Sequence, residues 1–420
     1  MPRTSGRNAK LIKVHNRTLV LRVIQQQGGI SRKNIATMTG LTQATITTIT
    51  RYLLERGLIV EQSSEQSSTS SGRKPIGLMI NKERYKILSI YIGRQCLEGA
   101  VADLAGNLLY THTCDERIIQ RRRENLLQGI VGYIHDVVNN SGVDLHDVLG
   151  IGIAAPGPIN AQKGIMRGVC KQQDSRPHSQ HVAPFDWREV ALKETIQREF
   201  GVDVFADNNA NVSALAEGWF GHGVGINNFV VYSVGMGIGA GVMIDGMLYR
   251  GEDDVVSEIG HITVDLHGEQ CVCGNFGCLE LYAGFADLVE TYQKTAADVS
   301  IADVATLFRA AYGGNTTALA LIRKKAEFIG IGAVSLANIF SPECIVVASN
   351  DIGDVNFTII ADEAQECVRN RAFSVIADKV KVMPSKLGKD IHLYGGVALV
   401  LQDFFQTLPT KSTIIQTPGR

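Results

Sequence analysis

The sequence lacks any apolar run that approaches the roughly 18 residues needed for a membrane-spanning helix. Its basic beginning, residues 3–13, is not followed by the apolar core and cleavage site of a secretory signal peptide. Nothing accompanies the eight cysteines to indicate an oxidising compartment, so we expect free thiols and metal ligands. These absences predict a cytoplasmic protein without membrane insertion.

Acidic residues are absent from the first 54 positions, which contain nine lysines and arginines. Up to residue 80 the chain has twelve basic and three acidic residues, whereas the remainder has 29 basic and 39 acidic residues. A basic amino-terminal module joined to an acidic body is typical of nucleic-acid binding. Composition alone leaves open a basic tail that only improves solubility.

The apolar pattern of this module predicts a winged helix-turn-helix. Ser31 and Thr42 are good N-caps for the second and third helices, and Gly40 lies in the turn between them. Two short strands joined by a serine-rich tip form the wing. The helices are expected at residues 17–27, 32–39 and 43–56, and the strands at 58–60 and 76–80.

The third helix carries polar side chains that suit the edges of DNA bases. Gln pairs with adenine, Arg pairs with guanine, and the methyl groups of Thr or Ala contact thymine. A helical module that binds another protein is the alternative. The predicted DNA-binding residues are Arg32, Gln43, Ala44, Thr45, Thr47, Thr48 and Arg51, with Arg73 and Lys74 on the wing.

A second distinctive segment lies between Glu258 and Glu280. It contains His261, Cys271, Cys273 and Cys278 in the spacing H-x9-C-x-C-x4-C. Thiolates and imidazole are the ligands of closed, four-coordinate zinc sites, so we predict a structural Zn²⁺. The alternatives are a cluster of buried thiols or a disulfide, although C-x-C is poor disulfide geometry.

The remaining chain predicts an α/β body with two related lobes and a cleft between them. In each half, three strands are followed by alternating helices and strands. In the first half we expect strands at 86–92, 97–102, 108–113, 148–154 and 202–206, and helices at 124–139, 187–200 and 209–219. In the second half we expect strands at 229–234, 239–244, 247–249 and 344–348.

Five motifs carry a resemblance that spans nearly the full length: IGIAAPGPIN, ADNNANVSALAE, SVGMGIGAGVMIDG, SEIGH and CVCGNFGCLE. The chain resembles regulators of the ROK (repressor, open reading frame, kinase) family. The resemblance implies a winged helix-turn-helix domain at 1–82. It also implies a two-lobed body with an actin-like ATPase, sugar-kinase-like fold at 83–420, which contains a zinc knot at 261–278.

The resemblance also implies where a sugar binds. In the family, an Asn and an Asp of a motif similar to E-N-D-A-N hold the hexose, together with residues of E-x-G-H and G-C-L-E. The matching residues here are Asn208, Asn209, Glu258, His261 and Glu280. Zinc on one ring nitrogen of His261 would leave the other nitrogen for the ligand.

Four departures from the family's kinases predict that the chain is not an enzyme. Asn209 replaces the Asp that serves as the base, and an amide cannot accept that proton at neutral pH. The first phosphate loop, residues 91–96, has lost its Asp, one Gly and its Thr. Met236 replaces Thr in the second loop, and 348–350 replaces a third glycine run.

We therefore predict a DNA-binding transcriptional regulator that acts as a repressor of carbohydrate-metabolism genes. Its partners would be a double-stranded DNA operator and a sugar or sugar derivative as effector. Because helix-turn-helix proteins read paired half-sites, we expect a homodimer or tetramer. The alternatives are a sugar kinase with a fused DNA-binding module and a repressor controlled by a protein partner.

Overall fold

The computed structural model describes residues 9–63, 76–93, 96–114, 126–167, 189–252 and 254–407. Arg73 and Lys74, the predicted wing contacts, lie outside the described residues. In the part of the chain that is described, no helix is both long enough and apolar enough to cross a membrane.

The amino-terminal module is a helix-turn-helix with a small antiparallel sheet. Ser31 Oγ accepts a hydrogen bond from Asn34 N at 3.2 Å, and Thr42 Oγ1 accepts one from Thr45 N at 3.2 Å. Both predicted N-caps are therefore confirmed. The helices are α1 (Ala9–Gln27), α2 (Arg32–Thr39) and α3 (Gln43–Glu55), and the strands are β1 (Ile30–Ser31), β2 (Ile59–Ser63) and β3 (Ile76–Ile80), in the order β1-β3-β2.

Two details of this module differ from the prediction. Helix α1 begins at Ala9, eight residues earlier than expected, because a nucleated helix gains one hydrogen bond for each residue added and can extend beyond its buried stripe. Strand β1 has only two residues, Ile30–Ser31. It exists through its pairing with Leu78 and Gly77 of β3, which no local sequence pattern indicates.

The first lobe is built on a five-stranded sheet in the order β11-β7-β4-β5-β6. Strands β4, β5 and β6 are antiparallel, and β7 and β11 run parallel to β4. A three-stranded ribbon, β8 to β10, lies beside the sheet. The strands are β4 (Lys86–Ile92), β5 (Leu97–Asp103), β6 (Leu108–Cys114), β7 (Val148–Ala155), β8 (Ile159–Asn160), β9 (Ile165–Met166), β10 (Val190–Ala191) and β11 (Val204–Asn208), with helices α4 (Leu126–Ser141) and α5 (Leu192–Phe200).

The helix predicted at 187–200 is wrong at its beginning. Residues 187 and 188 lie outside the described residues, and Val190–Ala191 pairs with Met166 and Ile165 as strand β10. Because their backbone groups bond to β9, the helix α5 begins only at Leu192.

The second lobe repeats the topology of the first. Its sheet has the order β14-β13-β12-β15-β16, in which β12 to β14 are antiparallel and β15 and β16 are parallel to β12. The two related lobes are thus confirmed. The strands are β12 (Phe229–Val234), β13 (Ile238–Ile244), β14 (Met247–Leu248), β15 (Cys344–Ala348) and β16 (Lys381–Pro384). The helices after β11 are α6 (Asn209–Phe220), α7 (Leu279–Ala283), α8 (Leu288–Ala296), α9 (Val304–Tyr312), α10 (Thr316–Phe340), α11 (Thr358–Arg371), α12 (Ser374–Ala377) and α13 (Ile391–Thr407), and α13 returns to pack on the sheet of the first lobe.

Helices α6 and α13 lie at the centre of the body. Their backbone atoms are in direct contact with the backbone of neighbouring elements. A Cβ atom on Gly396 of α13 would lie 2.9 Å from the carbonyl oxygen of Gly152 in β7. The amino-terminal module shares this core, because Val20 and Leu21 of α1 belong to the same buried apolar cluster as Trp219 and Phe405. The module therefore packs directly on the body.

Candidate functional sites

The four predicted metal ligands come together in one cluster, called the His/Cys3 cluster below. The ligand atoms of His261, Cys271, Cys273 and Cys278 all lie within 4.8 Å of one another. His261 Nδ1 is 3.6 Å from Cys271 Sγ, and Cys273 Sγ is 3.6 Å from Cys278 Sγ. A tetrahedron of sulfur atoms around zinc, with Zn–S near 2.3 Å, has edges of about 3.8 Å. The cluster therefore has the size and the ligand types of a tetrahedral metal site.

The thiols of this cluster are free; Cys271 and Cys278 are buried and Cys273 is half-buried. Burial and then the hydrogen-bonded thiol of Cys273 raise the pKa of Cys278 to about 12. Three thiolates at such short separations repel one another, and a bound cation would neutralise them. Because Nδ1 of His261 faces Cys271, Nε2 is the ring nitrogen that points away from the cluster.

Glu280 joins this cluster to the second glycine loop. Its Oε2 accepts a hydrogen bond from Ile238 N at 2.9 Å, and the residue is buried. Glu258 has an exposed side chain, yet surrounding protein desolvates its carboxylate and raises its pKa, an effect that His261 opposes and Glu280 reinforces. Solvent access combined with desolvation is typical of a residue that lines a cleft.

Asn208 and Asn209 stand at the beginning of α6. Asn208 Oδ1 accepts from Ala210 N at 2.8 Å and its Nδ2 donates to Gly157 O at 2.8 Å, so this side chain caps the helix and holds the Pro-Gly turn. Asn209 Oδ1 is buried and, among the described residues, has no hydrogen-bond partner. A buried acceptor without a donor is costly, and a ligand hydroxyl would satisfy it.

Sequence reasoning missed an ion pair beside these asparagines. Arg250 lies 2.6 Å from Oδ2 of the fully buried Asp207 and 3.6 Å from Asp254. Burial raises the pKa of Asp207, and the Arg250 guanidinium opposes that rise. Asp254 in turn accepts from Ala161 N at 3.1 Å. Because Asp207 is in the first lobe and Arg250 follows β14 in the second, the pair links the two lobes across the cleft.

The segments that resemble phosphate loops are occupied by the protein's own side chains. Asp351 Oδ2 accepts from Met236 N at 2.6 Å, inside the second glycine loop. Asn350 Nδ2 donates to Tyr91 Oη at 2.7 Å, which joins β15 of the second lobe to β4 of the first. The Tyr91 ring stacks on the buried His392 with 4.3 Å between ring centroids. Burial lowers the pKa of His392 to about 3, so this ring is neutral.

The third helix presents most of its predicted DNA-binding residues to solvent. Gln43, Ala44, Thr47, Thr48 and Arg51 are exposed, and Ile46, Ile49, Thr50 and Leu53 face the core. Thr47 and Thr48 donate their hydroxyls to the backbone one turn earlier, which turns their methyl groups outward.

Two predicted DNA contacts have other partners in the structure. Thr45 is half-buried and hydrogen-bonds to the capping Thr42. Arg32 donates to Thr50 Oγ1 at 3.1 Å and pairs with Glu61 of the wing strand at 2.7 Å. Arg32 therefore connects the recognition helix to the wing.

Similar proteins share both parts of this architecture. A sequence model described as ROK family matches residues 87–403, and one described as MarR family matches residues 15–68. A xylose repressor of Bacillus spizizenii is 30% identical over 393 residues, which cover 94% of this chain and 96% of that protein. The DNA-binding transcriptional dual regulator NagC of Escherichia coli K12 is 28% identical, covering 90% and 91% of the two chains.

Two solved structures make the same comparison in three dimensions. A ROK family transcriptional regulator, a homolog of the E. coli MLC protein, superposes with a TM-score of 0.73 at 28% identity, over 94% of this chain and 98% of that chain. A ROK family glucokinase from Streptomyces griseus, solved with glucose and AMPPNP, gives a TM-score of 0.62 at 26% identity over 76% and 99%.

Proposed function

Because the chain belongs to the ROK family, we propose that it is a sugar-responsive repressor that binds operator DNA through α3. The observation that carries this proposal is the combination of an exposed polar recognition helix with a kinase-like body whose phosphate loops are filled from within. A MarR-type region precedes the ROK region, and the relatives matched over nearly their whole length are named as a xylose repressor and a transcriptional dual regulator.

The effector we propose is a sugar held by Asn209, Glu258, His261 and Glu280, with Asn208 positioning α6. Vicinal hydroxyls both donate and accept, so they suit the unpartnered Asn209 oxygen and the carboxylates together. Since relatives are named xylose repressors and N-acetylglucosamine repressors, D-xylose and N-acetylglucosamine are the first sugars to test.

The cofactor we propose is one structural Zn²⁺ in the His/Cys3 cluster. When bound, the ion would supply cross-linking and charge, and it would perform no chemistry on the sugar. His261 would then be fixed through Nδ1 with Nε2 free, and Glu280 would be held beside it two residues after Cys278.

We further propose that the chain does not phosphorylate sugars. The Asp351 carboxylate lies against the Met236 N–H, where a kinase of this family would place a phosphate, and two negative charges would repel each other there. At the position of the catalytic base, Asn209 has no group that can take up the hydroxyl proton.

A homodimer that presents two recognition helices to paired half-sites is the assembly we propose. Gln43, Ala44, Thr47, Thr48 and Arg51 would contact bases, and Arg73 and Lys74 would contact phosphate from the wing. Sugar binding would favour a form of the dimer whose recognition helices no longer match the half-site spacing.

The test uses the full-length protein and a duplex that it selects from a random-sequence library. Fluorescence anisotropy gives the DNA Kd without sugar and with saturating D-xylose, N-acetylglucosamine or glucose. We expect one of these sugars to raise the DNA Kd by about 5- to 150-fold. A sugar that binds by calorimetry and leaves the DNA Kd unchanged would contradict the proposal and favour control by a protein partner.

A further inference from the structure

Helix α6 has the candidate sugar site at one end and the amino-terminal module at the other. Its first residue is Asn209, and its last turn carries the buried Trp219. Almost every residue between them is buried, from Ala210 to Glu217. Twelve residues at 1.5 Å each make the helix about 18 Å long, so a rigid shift at Asn209 is carried over that distance to Trp219.

At two points the backbone of α6 is in direct contact with the backbone of its neighbours, with no side chain between them. A Cβ atom on Gly395 of α13 would lie 2.4 Å from Val212 O, and one on Gly241 of β13 would lie 2.2 Å from Ala210 O. Contacts at backbone distance are stiff, because a close-packed interior transmits displacement instead of absorbing it. We therefore expect helix α6 to move as one rigid body with α13 and β13.

Trp219 contacts the amino-terminal module through an arginine of α1. The guanidinium carbon of Arg22 lies 4.5 Å from the centroid of the Trp219 ring. Arg22 Nε and Trp219 Nε1 are both buried and, within the described part of the chain, neither has a hydrogen-bond partner. The cation–π contact is consequently a principal polar interaction at this joint.

Helix α1 carries a second arginine that contacts the recognition helix. The guanidinium carbon of Arg17 lies 3.6 Å from the centroid of the Tyr52 ring, and Tyr52 belongs to α3. Arg17 and Arg22 are five residues apart, which is about 140° around a helix with 3.6 residues per turn. One side of α1 thus touches the sugar-site helix and another side touches the DNA-reading helix.

Two hydrogen bonds hold α1 on the body on either side of Arg22. Thr18 Oγ1 donates to Phe405 O at 2.9 Å, and Gln25 Nε2 donates to Ala105 O at 3.3 Å. Phe405 also packs on Trp219, with 5.4 Å between ring centroids. Because these anchors flank the joint, a movement of Trp219 acts on α1 at the middle of its contact with the body.

We propose that α6 and α1 form a relay that connects the sugar site to the recognition helix through the Arg22–Trp219 and Arg17–Tyr52 contacts. The sugar-to-DNA direction rests on the proposed function. The mechanical connection between α3 and Trp219 exists whatever the effector is, and it can be measured with DNA alone.

The first experiment tests the relay by adding DNA and measuring the fluorescence of Trp219. The chain has two tryptophans, so in a Trp187→Phe protein the emission reports Trp219. We expect binding of the selected duplex to change this emission, and we expect Arg22→Met in the same background to abolish the change. No change in the Trp187→Phe protein, or an equal change with Arg22→Met, would overturn the relay.

The second experiment tests the relay by adding a sugar, with D-xylose as the probe. It measures the ratio of DNA Kd values with and without saturating D-xylose for Arg22→Met, Trp219→Phe and the double variant. We expect each single variant to lower this ratio at least fivefold, and the double variant to lower it little further. If D-xylose raises the DNA Kd equally in wild type and Arg22→Met, the relay is wrong and the repressor function stands. If no sugar affects wild-type DNA binding, the proposed function fails and the Trp219 emission still decides the relay.

Two controls separate loss of the relay from loss of folding. Arg22→Lys keeps a cation at the ring and should retain most of the wild-type ratio. Arg323→Met removes an exposed arginine of α10 in the second lobe and should leave both readouts unchanged. Gel filtration and thermal melting of each variant complete the set. An Arg22→Met protein that melts with the wild type and keeps the full response contradicts the relay.

Discussion

At the scale of single residues, the replacement of an acid by an amide defines this molecule. In our proposal Asn209 corresponds to the residue that serves as the base in the family's kinases, and its buried side-chain oxygen lacks a partner among the described residues. An amide oxygen accepts a hydrogen bond from a sugar hydroxyl but cannot remove its proton. The same position can thus recognise a sugar without activating it.

Cys273→Ser is the residue change that tests the metal site. A serine hydroxyl is a poor zinc ligand, so we expect the variant to lose its bound zinc and to bind the effector far more weakly. Losing the cross-link should lower the free energy of unfolding by more than ~2 kcal/mol. Elemental analysis, thermal melting and calorimetry measure the three effects.

The matched control is Cys367→Ser, because Cys367 is a free thiol of α11 outside the His/Cys3 cluster. This control should keep its zinc and its response to the effector. A Cys273→Ser protein that retains one zinc per chain, or binds effector normally without it, would contradict the assigned role of the cluster.

At the scale of elements, one face of α3 packs into the core, and the opposite face, called the reading face below, carries the predicted DNA contacts. Ile46, Ile49 and Leu53 recur at helical spacing and are buried, which leaves the polar residues exposed. Arg32 ties this helix to the wing through Thr50 and Glu61. We therefore expect helix and wing to contact DNA as one unit, and an Arg32 substitution would combine loss of positive charge with loss of this connection.

Alanine substitutions at Gln43 and Arg51 test the reading face. Each side chain is exposed, so folding should be unchanged. Loss of a good base contact costs ~1–3 kcal/mol, and we expect each variant to weaken binding to the selected duplex while binding to random DNA changes less. Anisotropy with both duplexes measures the difference.

Arg369→Ala, at an exposed position of α11 in the second lobe, is the control for these variants and should bind both duplexes like the wild type. An equal loss of affinity for the selected and the random duplex would assign Gln43 or Arg51 to phosphate contact.

At the scale of the whole molecule, side-chain contacts connect the two lobes directly. Tyr91 of the first lobe bonds to Asn350 of the second, and Asp351 occupies the amide of the glycine loop. Arg250 and Asp207 make a second connection on the side of the asparagines. The cleft of a kinase closes on ATP and sugar, whereas this cleft has its own links in place on both sides.

Asn209→Asp tests whether the missing base alone accounts for the loss of kinase chemistry. We expect this variant to show no sugar-dependent phosphate transfer from ATP, because Asp351 and Tyr91 still fill the phosphate loops. Mass spectrometry of the sugar after long incubation with Mg²⁺ and ATP measures the outcome. Sugar phosphate formed by this variant, and absent with Asn209→Ala, would show that the phosphate site is usable.

The element order, the recognition helix and the four members of the His/Cys3 cluster were predictable from the sequence. These features depend on local patterns: helical apolar spacing, capping residues and ligand types at close spacing. Local pattern failed for the two-residue strands β1 and β10, which are too short to show an apolar periodicity and exist only through their pairing with distant backbone. Tertiary pairing at those places outweighs local propensity.

The contacts between charged, polar and aromatic side chains from distant segments became known from the tertiary structure. Arg250 pairs with Asp207 over 43 positions, Asp351 reaches Met236 over 115, and Arg22 lies on Trp219. Nothing in the spacing of these residues indicates their contact, because it arises from the packing of two lobes and a helical module. The motifs indicated a family and a cleft, whereas the contact of Asp351 with the glycine loop and that of Arg22 with Trp219 depend on how distant segments pack.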